Sequence, residues 1–549
     1  MATLTGCPGP TVDGITPATA TQFGDVEVTI TGANFQSGAK VVVGGVEALF
    51  AQVVDAGTIH ATVQGAPVPG PADVTVTNPD NSGATAAGIF TYTPPTDPLF
   101  ERVIGLGASY SAGIQSNSFA GRAQLTGPLA HLMRAAGAYF PMPITKGAGL
   151  PPLLGPESVV VSDGTPLVHP ITGQVVNVPA GEIFNPAENI NSTEILLPYI
   201  LDQILPEVLA HPFDPPLYAL RETGSVRASN ISVPAGLMDD TIMGERFGIS
   251  ALAWAIIDPT KDLVGSLASL APSPLKEIAD RDPTLVISTD LYGIDVALRG
   301  DIPMDTFRSF LFYILLDLST SNYYTQPGAA GEWPGVPFKR KDTGETVLNP
   351  FNEAEYDEYD LVIDYEALEL PNLGDMNGNG RIDESEVDLA AVFADDDPSD
   401  NPQAIVLGTI PTAPEIFDGP IIPSRNAAAL ELAALFPNVH MYDSADLIEP
   451  ILDEARGVAP PDILDVDDDG DLDVYLHEFG GVRSLDGLHL TSTGYAFLAN
   501  IFIERMNATL GTHVPEIDLA GVFAEDPLAP CNFTPDVRAI VGTPEENCP

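Results

Sequence analysis

Alternation of apolar and polar residues marks the first hundred residues of the chain. It runs through Val26–Ile30, Lys40–Val43 and Val74–Thr77, with turns rich in Gly, Asn, Asp and Pro between them. A period of two is typical of strands that bury one face. The pattern therefore predicts a small all-β sandwich over residues 9–95, after a tail at residues 1–8.

The pattern changes after a stiff Pro-rich linker at Thr93–Pro98. Short continuous apolar runs, typical of buried strands, now alternate with helical periodicity. The strand runs are Leu285–Ser288, Ala404–Leu407 and Val439–Tyr442, and the helical stretches are Pro128–Ala136 and Arg425–Leu435, the second behind a Ser424 cap. This order predicts an α/β domain over residues 99–515, with a parallel sheet wound on both sides and its site at the carboxyl ends of the strands. A polar extension, residues 516–549, follows.

The charge balance excludes two classes of partner. Lys and Arg number 22 against 76 Asp and Glu, and the net charge is −54. Such a charge repels nucleic-acid phosphates and anionic membrane surfaces. It fits a salt-rich or calcium-containing extracellular medium, or a compositional habit of the source. Phe310–Leu318 is the longest apolar run, which is too short for a transmembrane segment.

A serine stands just beyond a short apolar run near the start of the α/β region. Val103–Gly113 reads VIGLGASYSAG, with Ser109 in a turn bounded by glycines. Small neighbours let the backbone turn sharply and expose the hydroxyl at the end of a strand, as a nucleophile requires. Most Ser-rich turns are only turns, so this interpretation needs a second motif.

The second motif lies far along the chain, in Ser484–Leu498, where Asp486 precedes His489 by three residues. At this spacing the carboxylate can fix the imidazole tautomer and stabilise the imidazolium that forms when the histidine takes a serine proton. Thr491 or Ser492 is expected to cap the following helix. A surface turn with a solvated histidine is the alternative, and the two motifs together outweigh it.

These motifs resemble the GDSL, or SGNH, hydrolase family. Gly107–Gly113 stands where the family has Gly-Asp-Ser-Leu-Ser and a later glycine, and Asp486–Tyr495 where it has Asp-x-x-His, Leu-Thr/Ser and Gly-Tyr. Asn230–Gly236 resembles the second block. The resemblance spans roughly Leu99 to Leu510, and it implies a flavodoxin-like, three-layer α/β/α SGNH-hydrolase fold with a parallel sheet.

The resemblance also implies a role for each residue. Ser109 would attack an ester carbonyl, His489 would remove its proton, and Asp486 would orient the histidine. The backbone N–H groups of Ser109 and of either Ala235 or Gly236 would stabilise the oxyanion. We therefore expect a carboxylic ester hydrolase, an esterase or lipase, that acts on small-molecule or lipid esters through an acyl-enzyme and uses no organic cofactor.

The chain departs from the family pattern at two positions. Ala108 replaces an aspartate that is not part of the triad, so the chemistry should tolerate the change. In the third block, Leu285–Val296, Asp295 fits but Ile294 stands where an oxyanion asparagine is expected. The loss of one oxyanion donor costs on the order of 3 kcal/mol of transition-state stabilisation. Another group in the hole, a different register, or a slow enzyme would each account for this departure.

Residues 375–386, DMNGNGRIDESE, match the twelve-residue calcium loop of an EF-hand. A glycine at position six makes the bend, spaced oxygens surround the cation, and a bidentate carboxylate closes the loop. The ligands would be side chains of Asp375, Asn377, Asn379, Asp383 and Glu386 and the carbonyl of Arg381. No flanking pair of EF helices is evident, so we expect a lone dockerin-like loop with a structural Ca²⁺.

An Asp-rich loop, residues 465–476, repeats part of this pattern. Its acidic residues are Asp465, Asp467, Asp469, Asp471 and Asp473. Position twelve is Leu476, so a second calcium site requires Glu478 or a distant group as the closing ligand. Because the loop precedes His489, we hypothesise that calcium there orders the catalytic loop.

The first domain resembles an IPT/TIG module, which has an immunoglobulin-like fold. The residues that carry the resemblance are Ile15–Pro17, Val28–Phe35, Val43–Ala48 and Phe90–Tyr92. It implies a spacer, or a module that binds a partner or a glycan; the spacer is the stronger expectation.

Cysteine usage indicates an oxidising compartment. Cys531 and Cys548 lie close together in the polar C-terminal tail and predict a disulfide. Leu4–Cys7 resembles the end of a bacterial lipobox, which would make Cys7 a lipid anchor; a stray cysteine in a disordered tail is the alternative. A secreted or cell-surface location follows.

The sequence therefore predicts a secreted or surface-attached serine esterase. One alternative is a carbohydrate O-acetyl esterase that the sandwich directs to a polysaccharide. The other is a non-catalytic surface binding protein on a hydrolase fold. The segment Tyr139–Ile190, rich in Pro and Gly, would either line the substrate entrance or form a plain surface excursion.

Overall fold

A computed structural model describes most of the chain. The described residues are 8–145, 147–188, 227–232, 238, 274–293, 295–296, 302–320, 338–347, 360–368, 370–378, 382–399, 401–411, 420–461, 464–465, 470, 472–474, 476 and 479–542.

The chain folds into two compact units. The first holds the chain up to Val103, together with Leu132–Pro141 and Gly511–Pro515. The second holds Ile104–His131, Met142–Leu510 and the chain from Glu516 onward. The residues after Leu510 are therefore divided between the two units.

Two β-sheets build the first unit. Their strands are β1 (Thr11–Thr16), β2 (Thr19–Thr21), β3 (Gly24–Ala33), β4 (Lys40–Val43), β5 (Val46–Glu47), β6 (Leu49–Asp55), β7 (Thr58–Gln64), β8 (Gly70–Thr77) and β9 (Gly83–Thr93). One sheet has the order β1-β3-β7-β6 and the other β2-β9-β8-β4-β5. Pairing is antiparallel, except that β2 runs parallel to β9.

The period-two pattern forms the core of this sandwich. Val28 and Ile30 from one sheet and Val74 and Val76 from the other are buried in a single apolar cluster. Tyr92 is buried with them, and its hydroxyl donates to the Gln64 carbonyl at 2.8 Å. The prediction of an N-terminal all-β, immunoglobulin-like domain is confirmed.

The remaining strands belong to the second unit, except that the first residue of β10, Val103, is assigned to the first unit. They are β10 (Val103–Gly105), β11 (Val160–Val161), β12 (Leu167–Val168), β13 (Val175–Val176), β14 (Ile183–Phe184), β15 (Leu285–Ser288), β16 (Phe338–Arg340), β17 (Thr346–Val347), β18 (Leu361–Ile363), β19 (Ala404–Gly408) and β20 (Val439–Tyr442). The main sheet has the order β10-β15-β19-β20, and β15, β19 and β20 are parallel. The three apolar runs predicted as buried strands are therefore strands of one parallel sheet.

A further segment borders this sheet at β10. Gly105 forms a parallel bridge with Asn230, while Leu106 donates its N–H to the Ile287 carbonyl of β15. Consecutive residues of an extended chain direct their N–H groups to opposite edges, so Asn230 and β15 flank β10. In chain order the five segments lie 2-1-3-4-5 across the sheet.

The helices begin directly after β10. They are α1 (Ser109–Ala112), α2 (Gly121–Leu125), α3 (Pro128–Ala136), α4 (Pro274–Ala279), α5 (Met304–Thr320), α6 (Leu389–Asp395), α7 (Ile422–Ala433), α8 (Ser444–Ala455), α9 (Ser492–Leu510), α10 (Leu519–Glu525) and α11 (Pro535–Val541). The helix predicted over Pro128–Ala136 is confirmed.

Helices lie on both faces of the parallel sheet. Ile405 and Leu407 of β19 join an apolar cluster with buried residues of α5 and α7. Gly408 lies on the opposite face, where a Cβ atom would come within 2.9 Å of the ring of Phe502 on α9. The ring of Tyr442 on β20 packs on the same phenylalanine, with 5.7 Å between the two ring centroids.

The start of α7 differs from the prediction. The helix begins at Ile422, so Ser424 lies inside its first turn and is not its cap. The Ser424 hydroxyl donates to the Ile421 carbonyl at 2.8 Å. Pro423 fits this position because the first helical turn leaves N–H groups without intrahelical partners.

Helix α5 is almost entirely buried. All residues of Phe310–Leu318 are buried. Within the part of the chain that the structure describes, no helix is long and apolar enough to cross a membrane. Asp317 lies in this apolar setting, and its Oδ1 has no hydrogen-bond partner among the described residues.

We predict that Asp317→Asn stabilises the protein at alkaline pH. Burial raises the pKa of Asp317 from 3.8 to about 7. A raised folded-state pKa means that the folded protein holds this proton more tightly, so the free energy of unfolding falls as the pH rises from about 4 to about 7. The variant removes this penalty, and we expect it to gain up to roughly 4 kcal/mol at about pH 8. Urea unfolding of both proteins at about pH 4 and about pH 8 measures the difference; a variant less stable than wild type at the higher pH would contradict the prediction.

Candidate functional site

The Ser109 turn depends on the glycine two residues before it. Gly107 has φ +131°, a region that residues with a Cβ rarely adopt. A Cβ atom there would lie 2.6 Å from Asp290 Oδ1, Ser111 Oγ and Ser288 Oγ. The backbone can therefore pass this close to the end of β15 only because residue 107 has no side chain.

Ser109 is the first residue of α1 and lies beyond the carboxyl end of β10. It is half-buried. Helix α1 has a single turn and ends at Gly113, whose φ is +76°. Neither the hydroxyl nor the N–H group of Ser109 has a hydrogen-bond partner among the described residues.

His489 and Asp486 form a buried, hydrogen-bonded pair. His489 Nδ1 lies 2.8 Å from Asp486 Oδ2, and their side chains are 6% and 0% exposed. An ionised carboxylate only accepts hydrogen bonds, so Nδ1 carries a proton, and in the neutral form of the ring the free lone pair is on Nε2. His489 Nε2 is buried and has no hydrogen-bond partner among the described residues.

The electrostatics of the pair favour the ionised carboxylate. Burial alone would raise the pKa of Asp486, but the charge of His489 and the hydrogen bonds from His489 and Leu488 outweigh it. The resulting pKa is about 2. Asp486 therefore stays negative at any ordinary pH and can balance a positive imidazolium.

Several hydrogen bonds join the segment that follows Ser109 to the histidine loop. Asn117 donates its N–H to Asp486 Oδ2 at 2.5 Å, and Ser116 donates its N–H to Ser484 Oγ at 3.0 Å. Tyr110 donates its hydroxyl to the Leu488 carbonyl at 2.6 Å. Residues within eight positions after Ser109 thus bond to both ends of the loop that carries the pair.

The Tyr110 ring connects the serine turn to the histidine. Its centroid is 5.8 Å from that of His489 and 5.8 Å from that of Tyr495. Burial, with the charges of Asp486 and Asp290 nearby, raises the pKa of Tyr110, so its hydroxyl remains a donor. The structure thus brings Asp486 and His489 into contact and places Ser109 next to a residue that packs on the imidazole. No hydrogen bond joins Ser109 Oγ to His489 Nε2.

Asp290 is a site residue that sequence reasoning missed. Its buried carboxylate accepts hydrogen bonds from Ala108 N at 3.1 Å, Tyr110 N at 2.7 Å and Ser111 N at 3.2 Å. The signal in the sequence was the position of Asp290, two residues after the last residue of the buried strand β15, at the carboxyl edge where functional side chains collect. The third-block candidate Asp295 is also buried, and its Oδ2 accepts from Met238 N at 3.1 Å.

Helix α9 holds the far side of the histidine loop. Thr491 is its cap, because Thr491 Oγ1 accepts the N–H of Gly494 at 3.0 Å. Asp526 adds a second acceptor, taking the N–H of Thr493 at 2.8 Å and its hydroxyl at 2.7 Å. A residue near the C-terminus thus fixes the start of the helix that follows His489.

An apolar cluster packs against the histidine loop through Leu485. Leu485 and Phe479 pack in it with Leu528 and Phe533 from the C-terminal segment. The Phe479 and Phe533 rings are 5.8 Å apart. The Pro-rich insertion reaches the same place, since Asn185 Nδ2 donates to the Leu485 carbonyl at 2.6 Å.

Several predicted site residues lie outside the described residues. They are the oxyanion candidates Ala235 and Gly236, the third-block Ile294, the calcium ligands Asn379 and Arg381, the loop residues Asp467, Asp469, Asp471 and Glu478, and the cysteines Cys7 and Cys548. Cys531 is disulfide-bonded.

The first calcium-like loop closes on itself. Glu386, at position twelve, is buried and accepts from Asn377 N at 2.8 Å and Asp383 N at 3.1 Å. Asp383 Oδ2 accepts from Asn377 Nδ2 at 3.0 Å, and Asp375 Oδ1 accepts from Gly378 N at 2.6 Å. Positions one, three, nine and twelve therefore surround a common turn, although no three His, Cys, Asp or Glu side chains of the described residues form a metal-holding group.

In the Asp-rich loop the structure describes the first and last aspartates. Asp465 is buried, and its Oδ2 accepts the N–H of Gly470 at 2.8 Å. Asp473 donates its N–H to the Leu464 carbonyl at 3.0 Å. The loop thus turns back on itself upstream of the histidine loop.

Comparisons with known proteins identify the first domain. A family model of the IPT/TIG domain matches residues 10–92, so this part of the chain is an IPT/TIG domain, as the sequence predicts. No family model matches the predicted hydrolase region or the EF-hand-like loop. A search of curated proteins gives no significant match.

Solved structures share short stretches with the chain. The TIG domain of human nuclear factor of activated T-cells, cytoplasmic 4, is 23% identical over 16% of this chain and 88% of that one, with a TM-score of 0.14. The plexin A4 extracellular region (domains 1 to 8) is 24% identical over 16% of this chain and 9% of that one, with a TM-score of 0.15. A gamma-CGTase from an alkalophilic Bacillus clarkii is 22% identical over 19% and 15%, with a TM-score of 0.14. The match spans about a tenth of the length of plexin A4.

We predict a pH-dependent loss of stability in Asp486→Asn. The pKa of about 2 lies below the ordinary value of 3.8, so the contribution of this carboxylate is fully present above about pH 4 and is lost as the pH falls toward 2. At neutral pH the variant should therefore be about 2 kcal/mol less stable than wild type, and the difference should shrink below about pH 4.

Chemical denaturation across this pH range measures the effect. Asp360→Asn, an exposed position of the same unit, is the matched control and should change little at any pH. A destabilisation of the first variant that is the same at every pH would contradict the assigned role of the charge.

Proposed function

We propose that the second unit is a serine hydrolase of the SGNH type that cleaves carboxylic esters. Ser109 is the proposed nucleophile, His489 the general base and Asp486 the residue that orients the histidine. The observation that carries this proposal is the buried imidazole whose Nδ1 is bonded to Asp486 and whose Nε2 is unpaired, packed on the neighbour of Ser109.

An unpaired buried ring nitrogen has a cost that a function would explain. A buried polar atom without a partner loses about 1–3 kcal/mol of hydration free energy. Such atoms are uncommon in folded proteins, and a catalytic role is one of the explanations for them. Here the orphaned Nε2 is the atom that would take the proton of a serine, since Nδ1 is already committed to the carboxylate.

The proposed reaction has two halves. Ser109 Oγ attacks the ester carbonyl while its proton moves to His489 Nε2, and the oxyanion collapses to an acyl-serine as the alcohol leaves with that proton. Water then gives a proton to the same nitrogen and attacks the acyl carbon. The bond from that carbon to Ser109 Oγ breaks, the acid leaves, and His489 Nε2 returns the proton to Oγ, which restores both the serine and the neutral imidazole. The N–H of Ser109, unpaired among the described residues, is available to the oxyanion.

The position of Ser109 in the sheet supports the same assignment. In doubly wound sheets of order 2-1-3-4-5, ligands bind at the carboxyl ends of the strands where the strand order reverses. In this chain that place lies between β10 and β15, where Asp290 accepts the N–H of Tyr110, the neighbour of Ser109.

The substrate class follows from the proposed chemistry, not from a particular pocket. Lipid esters and short-chain acyl esters both fit, and an acetylated polysaccharide presented by the IPT/TIG domain would use the same residues. A binding protein on this fold would keep the geometry without turnover. The ester panel below separates these outcomes.

We also propose that residues 375–386 hold a structural Ca²⁺. Asp375 and the buried Glu386 accept the backbone N–H groups of Gly378 and Asn377, respectively, and Asp383 accepts the side-chain amide of Asn377. Oxygen donors of this kind suit a hard divalent cation. When bound, the cation would neutralise acidic side chains in a chain of net charge −54.

The proposed location is extracellular or at the cell surface. The support is the disulfide at Cys531, because such bonds persist in oxidising compartments. Its partner on the sequence prediction is Cys548, and Cys7 would then be left for a lipid anchor.

We predict that ester hydrolysis depends on Ser109. A panel of p-nitrophenyl esters from acetate to palmitate should reveal turnover in wild type, and Ser109→Ala should lower kcat/KM by at least about 1,000-fold because the acyl-enzyme cannot form. A fluorophosphonate probe should bond to Oγ with loss of fluoride and label the peptide that contains residue 109. The acyl length with the highest kcat/KM then assigns the substrate class, with an acetylated polysaccharide assayed in parallel.

The matched control is Ser424→Ala, an exposed serine on α7 outside the site. It should retain wild-type turnover and labelling. Turnover that survives in Ser109→Ala would sink the proposed nucleophile, and absence of both turnover and labelling in wild type would favour the binding-protein alternative.

We predict that calcium stabilises the protein through Glu386. Addition of Ca²⁺ to chelator-treated protein should raise the free energy of unfolding by roughly 3 kcal/mol at a hundred times the Kd. Glu386→Gln should lose most of this gain, whereas Glu345→Gln, at an exposed position, should keep it. Thermal unfolding with and without Ca²⁺ measures this, and an unchanged Tm in wild type would exclude the proposed site.

A further inference from the structure

We propose that Asp290 is a positioning residue for Ser109: its carboxylate binds the backbone on both sides of the nucleophile and leaves the N–H of Ser109 itself for the substrate. This inference rests on the proposed esterase function. Asp290 lies just beyond the carboxyl end of β15 and is not one of the three proposed triad residues.

The hydrogen bonds of Asp290 skip one residue. Oδ1 accepts the N–H groups of Ala108 and Ser111 at 3.1 and 3.2 Å, and Oδ2 accepts that of Tyr110 at 2.7 Å. The N–H of Ser109 lies between them in sequence and has no partner among the described residues. The carboxylate thus uses the amides that flank the nucleophile and spares the amide that an oxyanion needs.

Ser111 joins the serine turn to the residues that follow β15. Its hydroxyl donates to Asp290 Oδ1 at 2.6 Å, and its oxygen accepts the N–H of Thr289 at 3.0 Å. Asn230 Nδ2 donates to the Ser111 carbonyl at 2.8 Å. The turn is therefore attached to both of the segments that flank β10.

The surroundings require a group that accepts hydrogen bonds and fits a small space. Three backbone donors point at the two oxygens, so an amide NH₂ in place of either oxygen would face another N–H group. Asp290 and Ser111 are both buried. The backbone of Gly107 lies close to the carboxylate, since a Cβ atom added at residue 107 would lie 2.6 Å from Asp290 Oδ1. A side chain longer than that of aspartate would therefore not fit at position 290. Burial raises the pKa of Asp290, while hydrogen bonds from Ser111, Tyr110 and Ala108 act in the opposite direction.

The consequence for catalysis is geometric. Ala108 has no side chain able to hold the turn, and α1 has only four residues, so the direction of Ser109 Oγ depends on bonds from outside the helix. A nucleophile displaced by about 1 Å can lose on the order of 100-fold in rate. Because the Asp290 bonds fix the attacking atom and not the rest of the substrate, their loss should change kcat more than KM.

The test compares Asp290→Asn with Asp317→Asn. Both changes replace a buried carboxyl group with an isosteric amide, but Asp317 lies on α5 and has no hydrogen bond to the turn. With the best p-nitrophenyl ester, Asp290→Asn should lower kcat and the rate of fluorophosphonate labelling by about 100-fold, with KM within about twofold of wild type. Asp317→Asn should keep both rates.

A second readout does not depend on activity. Amide hydrogen exchange of the peptide that contains residues 108–111 should be slow in wild type and in Asp317→Asn, and at least about tenfold faster in Asp290→Asn. Ser111→Ala removes one bond to Oδ1 and provides a milder variant if Asp290→Asn does not fold; its labelling rate should fall by several-fold.

Each outcome has one meaning. Wild-type kcat in Asp290→Asn, or unchanged exchange in that peptide, overturns the positioning role while the esterase function stands. A wild-type protein without Ser109-dependent turnover defeats the esterase function, and the exchange data then decide whether Asp290 holds the turn. A parallel loss of kcat in Asp317→Asn would show that a buried carboxyl group without a bond to the turn affects the rate equally, and would also overturn the inference.

Discussion

The carboxylate of Asp486 is the interaction on which the site depends. One oxygen accepts the N–H of Asn117 and the proton of His489 Nδ1, and the other accepts the N–H groups of Leu488 and His489. It therefore joins two segments separated by 369 residues in sequence and fixes the histidine ring at the same time. A single buried charge with four N–H donors explains why both the loop and the ring have one orientation.

The parallel sheet gives this contact its setting. Strands β10 and β15 end at the same edge, so the residues after Gly105 and after Ser288 meet there whatever lies between them in the chain. Asp290 holds the serine turn from one strand, and the C-terminal Asp526 holds the start of α9 from the other side of the histidine. The long insertions are accommodated because they enter and leave at loops, where closure costs grow only slowly with length.

Local patterns predicted the elements but not the contacts between them. The strand runs, α3 and the Asp486–His489 spacing are properties of neighbouring residues, and they can be read along the chain. Asp290 could not be identified in this way, because its partners Ala108, Tyr110 and Ser111 are about 180 residues distant. The start of α7 was misplaced because Ser424 resembles a cap, whereas Pro423 already belongs to the first turn. The third block remained ambiguous since Asp295 and Asp290 are both buried acids after one strand.

The central claim is that the hydroxyl of Ser109 and the imidazole of His489 act on the same atom. A crystal structure of the protein after reaction with a phosphonate ester tests it most directly. We expect phosphorus bonded to Ser109 Oγ and His489 Nε2 within about 2.6–3.2 Å of a phosphonate oxygen. An unmodified Ser109, or an imidazole that faces away from the adduct with Asp486 still bound to Nδ1, would contradict it.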